Sequence, residues 1–261
     1  MKAFVEGVAV LAPGLEGWEA ARAVLAGERP YEPAALAPPV PALLPAVERR
    51  RTGKVVKLAL ALGQEALAAA GREADAVATV FASSGNDGEV INDICIALAS
   101  AERQVSPTRF HNSVHNAPAG YWSIATHSHR ASTSVCAYDW SFALGLLEAL
   151  AQAGEGAVML VACDVPYPEP LSGLRGVTEP FGTALVLTGE RTPRSLAVLE
   201  LSPDEAARRP STMASPALER LRTANPCARA LPLLAALADG ASGVVLERNA
   251  GRTMDIDVRP A

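Results

Sequence analysis

Runs of continuous apolar residues alternate along this chain with stretches whose apolar residues recur at helical spacing. The continuous runs are typical of buried strands, and the helical spacing is typical of helices packed on a sheet. The pattern predicts strands over residues 3–11, 76–81, 131–136, 157–163, 182–187, 195–201 and 242–247. It predicts helices over residues 17–25, 52–70, 89–101, 113–127, 140–152, 216–223 and 229–238.

This alternation favours an α/β fold in which helices cover both faces of a mixed or mostly parallel sheet. Two segments have little periodicity. Residues 30–45 contain six prolines and are predicted to form an irregular surface loop. Residues 202–215 are polar and contain proline and arginine.

Composition supports a globular domain and excludes some classes of protein. The 261 residues are 49% hydrophobic and 20% charged, which is ample material for a core. The net charge of −5, with no basic run interleaved with aromatics, argues against a nucleic-acid surface. The densest basic cluster, Arg49–Arg51, is interpreted as a solvated loop or helix start. No stretch approaches the roughly 18 uninterrupted apolar residues of a membrane span, so we expect a soluble protein.

The cysteines indicate a reducing compartment. Cys95, Cys136, Cys163 and Cys227 form no CxxC pair, and reduced thiols in the cytoplasm are the simplest interpretation. Cys95 and Cys163 lie inside apolar elements, and we predict that both pack in the core.

Cys136 is the candidate nucleophile. It lies where a strand turns sharply into a helix, and the start of that helix near Tyr138 would lower the pKa of a neighbouring thiol. The alternative is an inert buried cysteine, because a nucleophile also needs a base and an oxyanion site.

Two other clusters could bind ligands. His111 and His115 are four residues apart, a spacing that metal ligands use, but no third ligand is evident, and we expect hydrogen-bonding histidines and no metal. His127 and His129 are expected to face solvent. The loop over residues 83–88 lacks both GxGxxG and a P-loop lysine, so it predicts a tight turn and no nucleotide cofactor.

Taken in order, several segments resemble the N-terminal half of a β-ketoacyl synthase of the thiolase superfamily. These segments are residues 8–27, 80–85, 106–124 and 182–187. The resemblance implies a thiolase-like α/β fold. It also implies a β-ketoacyl synthase N-terminal-like domain over residues 1–190, with a short C-terminal remnant, residues 191–261, packed on it.

Three segments are similar, more narrowly, to the chain-length-factor-like proteins of aryl polyene and related pigment pathways: residues 84–89, 110–116 and 141–148. This implies a subunit that pairs with a ketosynthase and shapes the pocket for an acyl chain on an acyl carrier protein, in type II fatty acid or polyketide biosynthesis. By resemblance, Ala131, Ser132, Thr133, Ser134 and Val135 would pair across the dimer. His111, Asn112, His115 and Asn116 would support the pocket.

The chain departs from an active synthase at the catalytic residues. Alignment from the segment downstream puts the nucleophile position at about Ala137, and alignment from the segment upstream puts it nearer Asp139. Residues 137–139 are therefore a degenerate nucleophile region, and Cys136 is out of register with both alignments. No histidine follows His129, whereas an active synthase keeps two in its C-terminal half. We also expect residues 195–247 to supply only a remnant of the second half.

We therefore expect a subunit that is not catalytic by itself and needs no cofactor. Two alternatives stay open. One is an acyl-thioester transferase or hydrolase with Cys136 as nucleophile and His111 or His115 as base. The other is a stand-alone homodimer that binds an apolar ligand.

Overall fold

The computed structural model describes residues 1–202, 208–240 and 243–261. Its strands are β1 (Lys2–Ala12), β2 (Leu15–Glu16), β3 (Ala78–Ala82), β4 (Ser132–Val135), β5 (Val158–Asp164), β6 (Phe181–Thr188), β7 (Ala197–Leu201), β8 (Val244–Asn249) and β9 (Arg252–Pro260). Among the described residues these nine strands form one sheet in the order β4-β3-β5-β6-β1-β7-β9-β8, and β2 pairs with β1. The mixed sheet and the α/β fold class are confirmed.

Helices cover both faces of the sheet. They are α1 (Trp18–Leu25), α2 (Ala46–Arg51), α3 (Lys54–Ala70), α4 (Gly88–Ala99), α5 (Pro107–Asn112), α6 (Ala117–Thr126), α7 (Ser141–Gln152), α8 (Pro216–Ala224) and α9 (Leu231–Asp239). One apolar core lies between the sheet and α3 with α6, and the other lies between the opposite face and α1, α7, α8 and α9. No helix in the described ranges is long and apolar enough to cross a membrane.

Helix α3 forms the centre of the first core because apolar residues cover most of its surface. Its buried residues include Val55, Leu58, Leu62 and Ala66, at helical spacing. The helix ends at Gly71, which has the left-handed backbone (φ 58°) that glycine adopts without strain. This helix packs on β1, β5 and β6 and brings its first turn beside the loop that follows β3.

The sheet is less parallel than the apolar runs suggest. Among the described strands, only the pairs β3–β4 and β3–β5 are parallel, and the other pairs are antiparallel. The strand predicted over residues 242–247 is also not the last one. Strand β9 follows it, with Met254, Ile256 and Val258 buried between polar residues. This alternation is typical of a half-buried strand and differs from the continuous runs used for prediction.

Helices α2 and α5 were not predicted, because both are short and polar. The helix predicted over residues 113–127 is α6, which begins at Ala117. The polar stretch 202–215 lies partly outside the described residues. Ser242, the first residue of the strand predicted over residues 242–247, also lies outside them.

The prediction that Cys95 packs in the core is wrong. Cys95 lies on α4 and is exposed, together with Ile96 and Leu98. Helix α4 turns Val90 and Asn92 inward and leaves this apolar side uncovered by any described residue. Cys163 is buried, as predicted, and the four cysteines are free thiols.

Candidate functional site

A sharp turn connects β4 to α7, and Tyr138 lies at its tip. Tyr138 has a left-handed backbone (φ 52°) and is 54% exposed. A residue with a β-carbon in this conformation is strained by about 1–2 kcal/mol. A strained residue between a strand and a helix is the arrangement that lifts a nucleophile out of a sheet. Tyr138 lies between the positions Ala137 and Asp139 that the two alignments suggest, and the strained residue is not Cys136.

Arginines hold the side chains of Tyr138 and Asp139. The guanidinium carbon of Arg175 lies 3.6 Å from the centroid of the Tyr138 ring. Arg175 Nη1 lies 2.6 Å from Asp139 Oδ1, and Arg229 Nη2 lies 3.1 Å from Asp139 Oδ2. Arg229 continues the chain of ion pairs to Glu247, at 3.0 Å. Because both oxygens of Asp139 are paired with a guanidinium group, this carboxylate is poorly suited to act as a base.

Cys136 is exposed, and its thiol has a backbone partner. Its Sγ donates a hydrogen bond to the carbonyl oxygen of Ser84, at 3.3 Å. The helix start that was expected beside this thiol is farther away, because α7 begins at Ser141. A short 3-10 helix (Tyr138–Trp140) lies between them, and the Ser141 hydroxyl accepts a hydrogen bond from the Ala137 N–H, at 3.0 Å. No histidine that could act as its base is among the described contacts of Cys136.

The two candidate histidines do not share a helix face. His111 lies in α5, which ends at Asn112, so the four-residue spacing to His115 crosses a helix end. His115 Nε2 lies 3.2 Å from the carbonyl oxygen of Ser83, and His111 Nδ1 lies 3.3 Å from Asn112 Oδ1. In the ranges described, no three His, Cys, Asp or Glu side chains are grouped to hold a metal.

The remaining pocket candidates differ in burial. Asn112 is buried, donates from Nδ2 to the carbonyl oxygen of Arg51 at 2.6 Å, and accepts from the Tyr121 hydroxyl at 3.0 Å. Asn116 is exposed just before α6. Asn112 therefore joins α5 to α2 and α6. His127 and His129 are exposed, as predicted.

A buried carboxylate organises the loop beneath Cys136 and His115. Asp164, at the end of β5, is 2% exposed and accepts hydrogen bonds from Ser83 Oγ (2.8 Å), the Ser84 N–H (2.8 Å) and Cys227 Sγ (3.1 Å). Burial raises the pKa of Asp164 more than these three donors lower it. Sequence reasoning missed this residue, although an acid that ends an apolar strand was a usable signal.

Tyr167 covers the same loop. A β-carbon at Gly85 would come within 2.0 Å of its hydroxyl, and one at Gly88 within 2.0 Å of its ring. Burial, and after it the charge of Asp164, raises the pKa of the Tyr167 hydroxyl. The two glycines are therefore required by the close approach of this ring.

Comparisons with solved structures find other chains with this fold. A complex of the ketosynthase ApeO with its chain length factor ApeC from Xenorhabdus doucetiae matches with a TM-score of 0.74 and 23% identity, over 98% of this chain and 99% of that chain. The ishigamide ketosynthase/chain length factor matches with a TM-score of 0.70 and 14% identity, over 100% and 99%. A type II PKS acyl-carrier protein in complex with its ketosynthase matches with a TM-score of 0.74 and 12% identity, over 100% and 99%. At these identities the likeness shows the fold.

A family comparison extends this to the sequence. The sequence model described as "Beta-ketoacyl synthase, N-terminal domain" matches residues 22–251. A comparison with curated proteins gave no match. Because the family match spans most of the chain, this protein belongs to the beta-ketoacyl synthase N-terminal domain family, with a thiolase-like fold.

Proposed function

We propose that this chain is a chain-length-factor-like subunit that pairs with a ketosynthase and does not itself catalyse condensation. The observation that carries the proposal is the identity of the strained residue after β4, which is Tyr138 and not a cysteine. Its ring is held by Arg175, and no histidine or carboxylate is hydrogen-bonded to its hydroxyl among the contacts that the structure describes. Condensation also needs hydrogen-bond donors that stabilise an oxyanion in the transition state, and each donor lowers the activation free energy by about 3 kcal/mol. A chain that lacked both the nucleophile and these donors could not catalyse the reaction.

The open edge of β4 is the proposed pairing surface. Its only described partner strand is β3. The carbonyl oxygens of Ala131 and Val135 point toward β3, so Ser132 and Ser134 direct their N–H and C=O groups toward the open side. An unpaired edge invites a further strand, which on this proposal belongs to the ketosynthase.

Exposed apolar side chains lie on α4, on α5 and in the segment after α5. Phe110 is 68% exposed and Ile96 is 60% exposed. Side chains of this size on a free surface suggest a protein interface.

The complex would act in the cytoplasm on acyl chains carried by an acyl carrier protein, as in aryl polyene-like, type II fatty acid or polyketide pathways. The free cysteines fit that compartment.

Replacement of Ser134 by proline tests the pairing. Proline removes the outward N–H and leaves the β3–β4 ladder intact, and it is tolerated at sheet edges. We expect Ser134→Pro to fold and to lose co-purification with a tagged ketosynthase encoded beside it, while Ser134→Ala, which keeps the N–H, retains it. Pairing by the proline variant would overturn the β4 interface. A wild-type chain that ignores such ketosynthases would overturn the proposal.

A further inference from the structure

One acidic side chain on helix α7 lies beside the open edge of β4. Glu148 is the only charged residue of α7, and it is half-buried. Its Oε1 accepts a hydrogen bond from Gln152 Nε2, at 2.7 Å, and the same nitrogen donates to Thr133 Oγ1 on β4, at 3.2 Å. Two hydrogen bonds therefore tie the carboxylate of Glu148 to the middle of the edge strand.

This carboxylate has no cation beside it. Glu148 takes part in none of the ion pairs between described residues. Leu144, Leu147 and Ala151 lie on the same side of α7 at helical spacing, the two leucines half-buried and the alanine exposed. An acid that is covered among apolar side chains costs free energy unless an opposite charge reaches it. This surface therefore favours a partner that brings a cation to Glu148.

The backbone of β4 limits how a second strand can pair with it. The N–H and C=O groups of Ser132 and Ser134 point to the open side, because those of the residues that alternate with them face β3. In an antiparallel pair, outward residues of one strand must lie opposite outward residues of the other. Two copies of this chain that overlap fully would therefore pair Ser132 with Ser134, and Thr133 with the Thr133 of the second copy.

Such a pair would bring two like charges together. Its two-fold axis would pass through the sheet at Thr133, so both α7 helices would lie on the same side of the extended sheet. Opposite residues of a non-hydrogen-bonded pair have Cα atoms about 4.5 Å apart. Because Thr133 accepts a hydrogen bond from Gln152, the two Glu148 side chains would face each other across the axis. Like charges placed in this way oppose pairing.

We propose that Glu148 selects the partner of this chain. It opposes pairing with a second copy and favours a ketosynthase that places a lysine or arginine opposite it. The inference rests on the proposed function, in which β4 is the pairing edge. One charge can separate two partners because specificity is a difference between two binding free energies. Removal of the charge should strengthen the pair of identical chains, and reversal should weaken the pair with the ketosynthase.

Self-association of charge variants tests this selection. Sedimentation equilibrium measures the dimer Kd of the wild-type chain and of Glu148→Gln, which keeps the side-chain volume and an oxygen that accepts from Gln152. We expect the glutamine variant to dimerise at least tenfold more tightly than wild type, because juxtaposed like charges oppose association strongly. Glu19→Gln, the same change at an exposed acid of α1, should stay within about twofold of wild type.

A mixture of two chains gives a sharper test. Glu148→Lys reverses the charge, so a pair of wild type with this variant would have opposite charges across the axis. With a different fluorescent label on each chain, energy transfer should show mixed pairs at least tenfold tighter than pairs of either chain with itself. Ser134→Pro in both chains should abolish the mixed pair, because it blocks the β4 edge.

Two results would overturn the inference. One is a mixed pair no tighter than the pairs of identical chains, or one that survives Ser134→Pro. The other is a Glu148→Gln variant that dimerises no more tightly than Glu19→Gln.

Binding to a tagged ketosynthase separates this inference from the proposed function. We expect Glu148→Lys to weaken that binding at least tenfold and Glu19→Lys to change it less than twofold. If the wild-type chain and Glu148→Lys bind the ketosynthase equally well, Glu148 does not select the partner, and the proposed function stands. If the wild-type chain binds no ketosynthase encoded beside it, the proposed function fails and the inference fails with it.

Discussion

The guanidinium group of Arg175 stacks on Tyr138, with its carbon 3.6 Å from the ring centroid. Arg175 also pairs with Asp139, at 2.6 Å, so a single side chain contacts both the strained residue and the residue that follows it. These contacts stabilise the strained shape of the turn at Tyr138.

Loss of Arg175 should therefore destabilise the fold. We expect Arg175→Ala to lower the free energy of unfolding by about 1–3 kcal/mol, because a stacked cation and one ion pair of a mostly buried group are lost together. Urea unfolding followed by circular dichroism measures this. Arg191→Ala, at an exposed arginine, should cost less than about 0.5 kcal/mol. Similar losses in the two variants would contradict the role of Arg175.

The strain at Tyr138 can be measured with a pair of variants. Tyr138→Gly and Tyr138→Ala both lose the stacked ring, but only glycine relieves the left-handed backbone. We expect the glycine variant to be more stable than the alanine variant by about 1 kcal/mol. At Glu19, an exposed position in α1, the order should reverse, because glycine disfavours a helix. The same order at both positions would argue against strain at Tyr138.

The buried Glu6 on β1 gives a test of pH dependence. It accepts hydrogen bonds from Arg72 Nε and Thr192 Oγ1, each at 2.5 Å. Burial alone raises the pKa of Glu6, but these two donors outweigh burial and hold the pKa below its usual value of 4.5. Its stabilising contribution is therefore complete above about pH 4.5 and is lost as the pH falls through the lowered pKa.

Replacement of Arg72 by methionine removes that contribution. We expect Arg72→Met to cost about 3 kcal/mol at pH 7, because the carboxylate of Glu6 stays buried without its cation. The loss should shrink as the pH falls below 4.5. Thermal or urea unfolding between pH 3 and 8 measures both effects, with Arg22→Met on α1 as the exposed control. A loss that does not depend on pH would show that packing, and not charge, explains the effect.

Asp164 should show the opposite pH dependence. Because burial raises its pKa, protonation is easier in the folded state, and its stabilising contribution is complete below about pH 3.8, the usual value. That contribution falls as the pH rises through the raised pKa. We expect Asp164→Asn to remove this downward slope from the curve of unfolding free energy against pH. If the downward slope persists in the variant, groups other than Asp164 cause it.

Cys136 should not carry an acyl group. After incubation of the proposed complex between this chain and a ketosynthase with an acyl-carrier thioester, intact-mass measurement should find the adduct on the ketosynthase and none on this chain. Cys136→Ser should leave product formation within about twofold of wild type. An adduct on this chain that disappears in Cys136→Ser would favour the alternative acyl-thioester enzyme.

Much of the fold was predictable because it depends on local patterns. Strands β5 and β6 are mostly continuous apolar runs, β1 is apolar apart from Lys2 and Glu6, and α3 and α7 have a broad apolar face, so burial on a sheet follows directly from the sequence. Strand β9 was missed because its alternation becomes recognisable as a strand only beside β7 and β8. The exposed side of α4 was also missed, since an apolar helix face does not reveal whether its own chain covers it.

The sequence by itself determined the fold class and the family resemblance, and it pointed to residues 136–139 as the candidate nucleophile region. Only the tertiary structure decided that Tyr138 is the strained residue of that region, that Arg175 stacks on it, and that Arg175 and Arg229 pair with Asp139 beside it. It also brought Asp164 and Cys227 together beneath the Ser83–Ser84 loop. These contacts join residues up to 90 positions apart, and backbone angles and charge pairing of this kind depend on the packing of distant elements and not on local sequence.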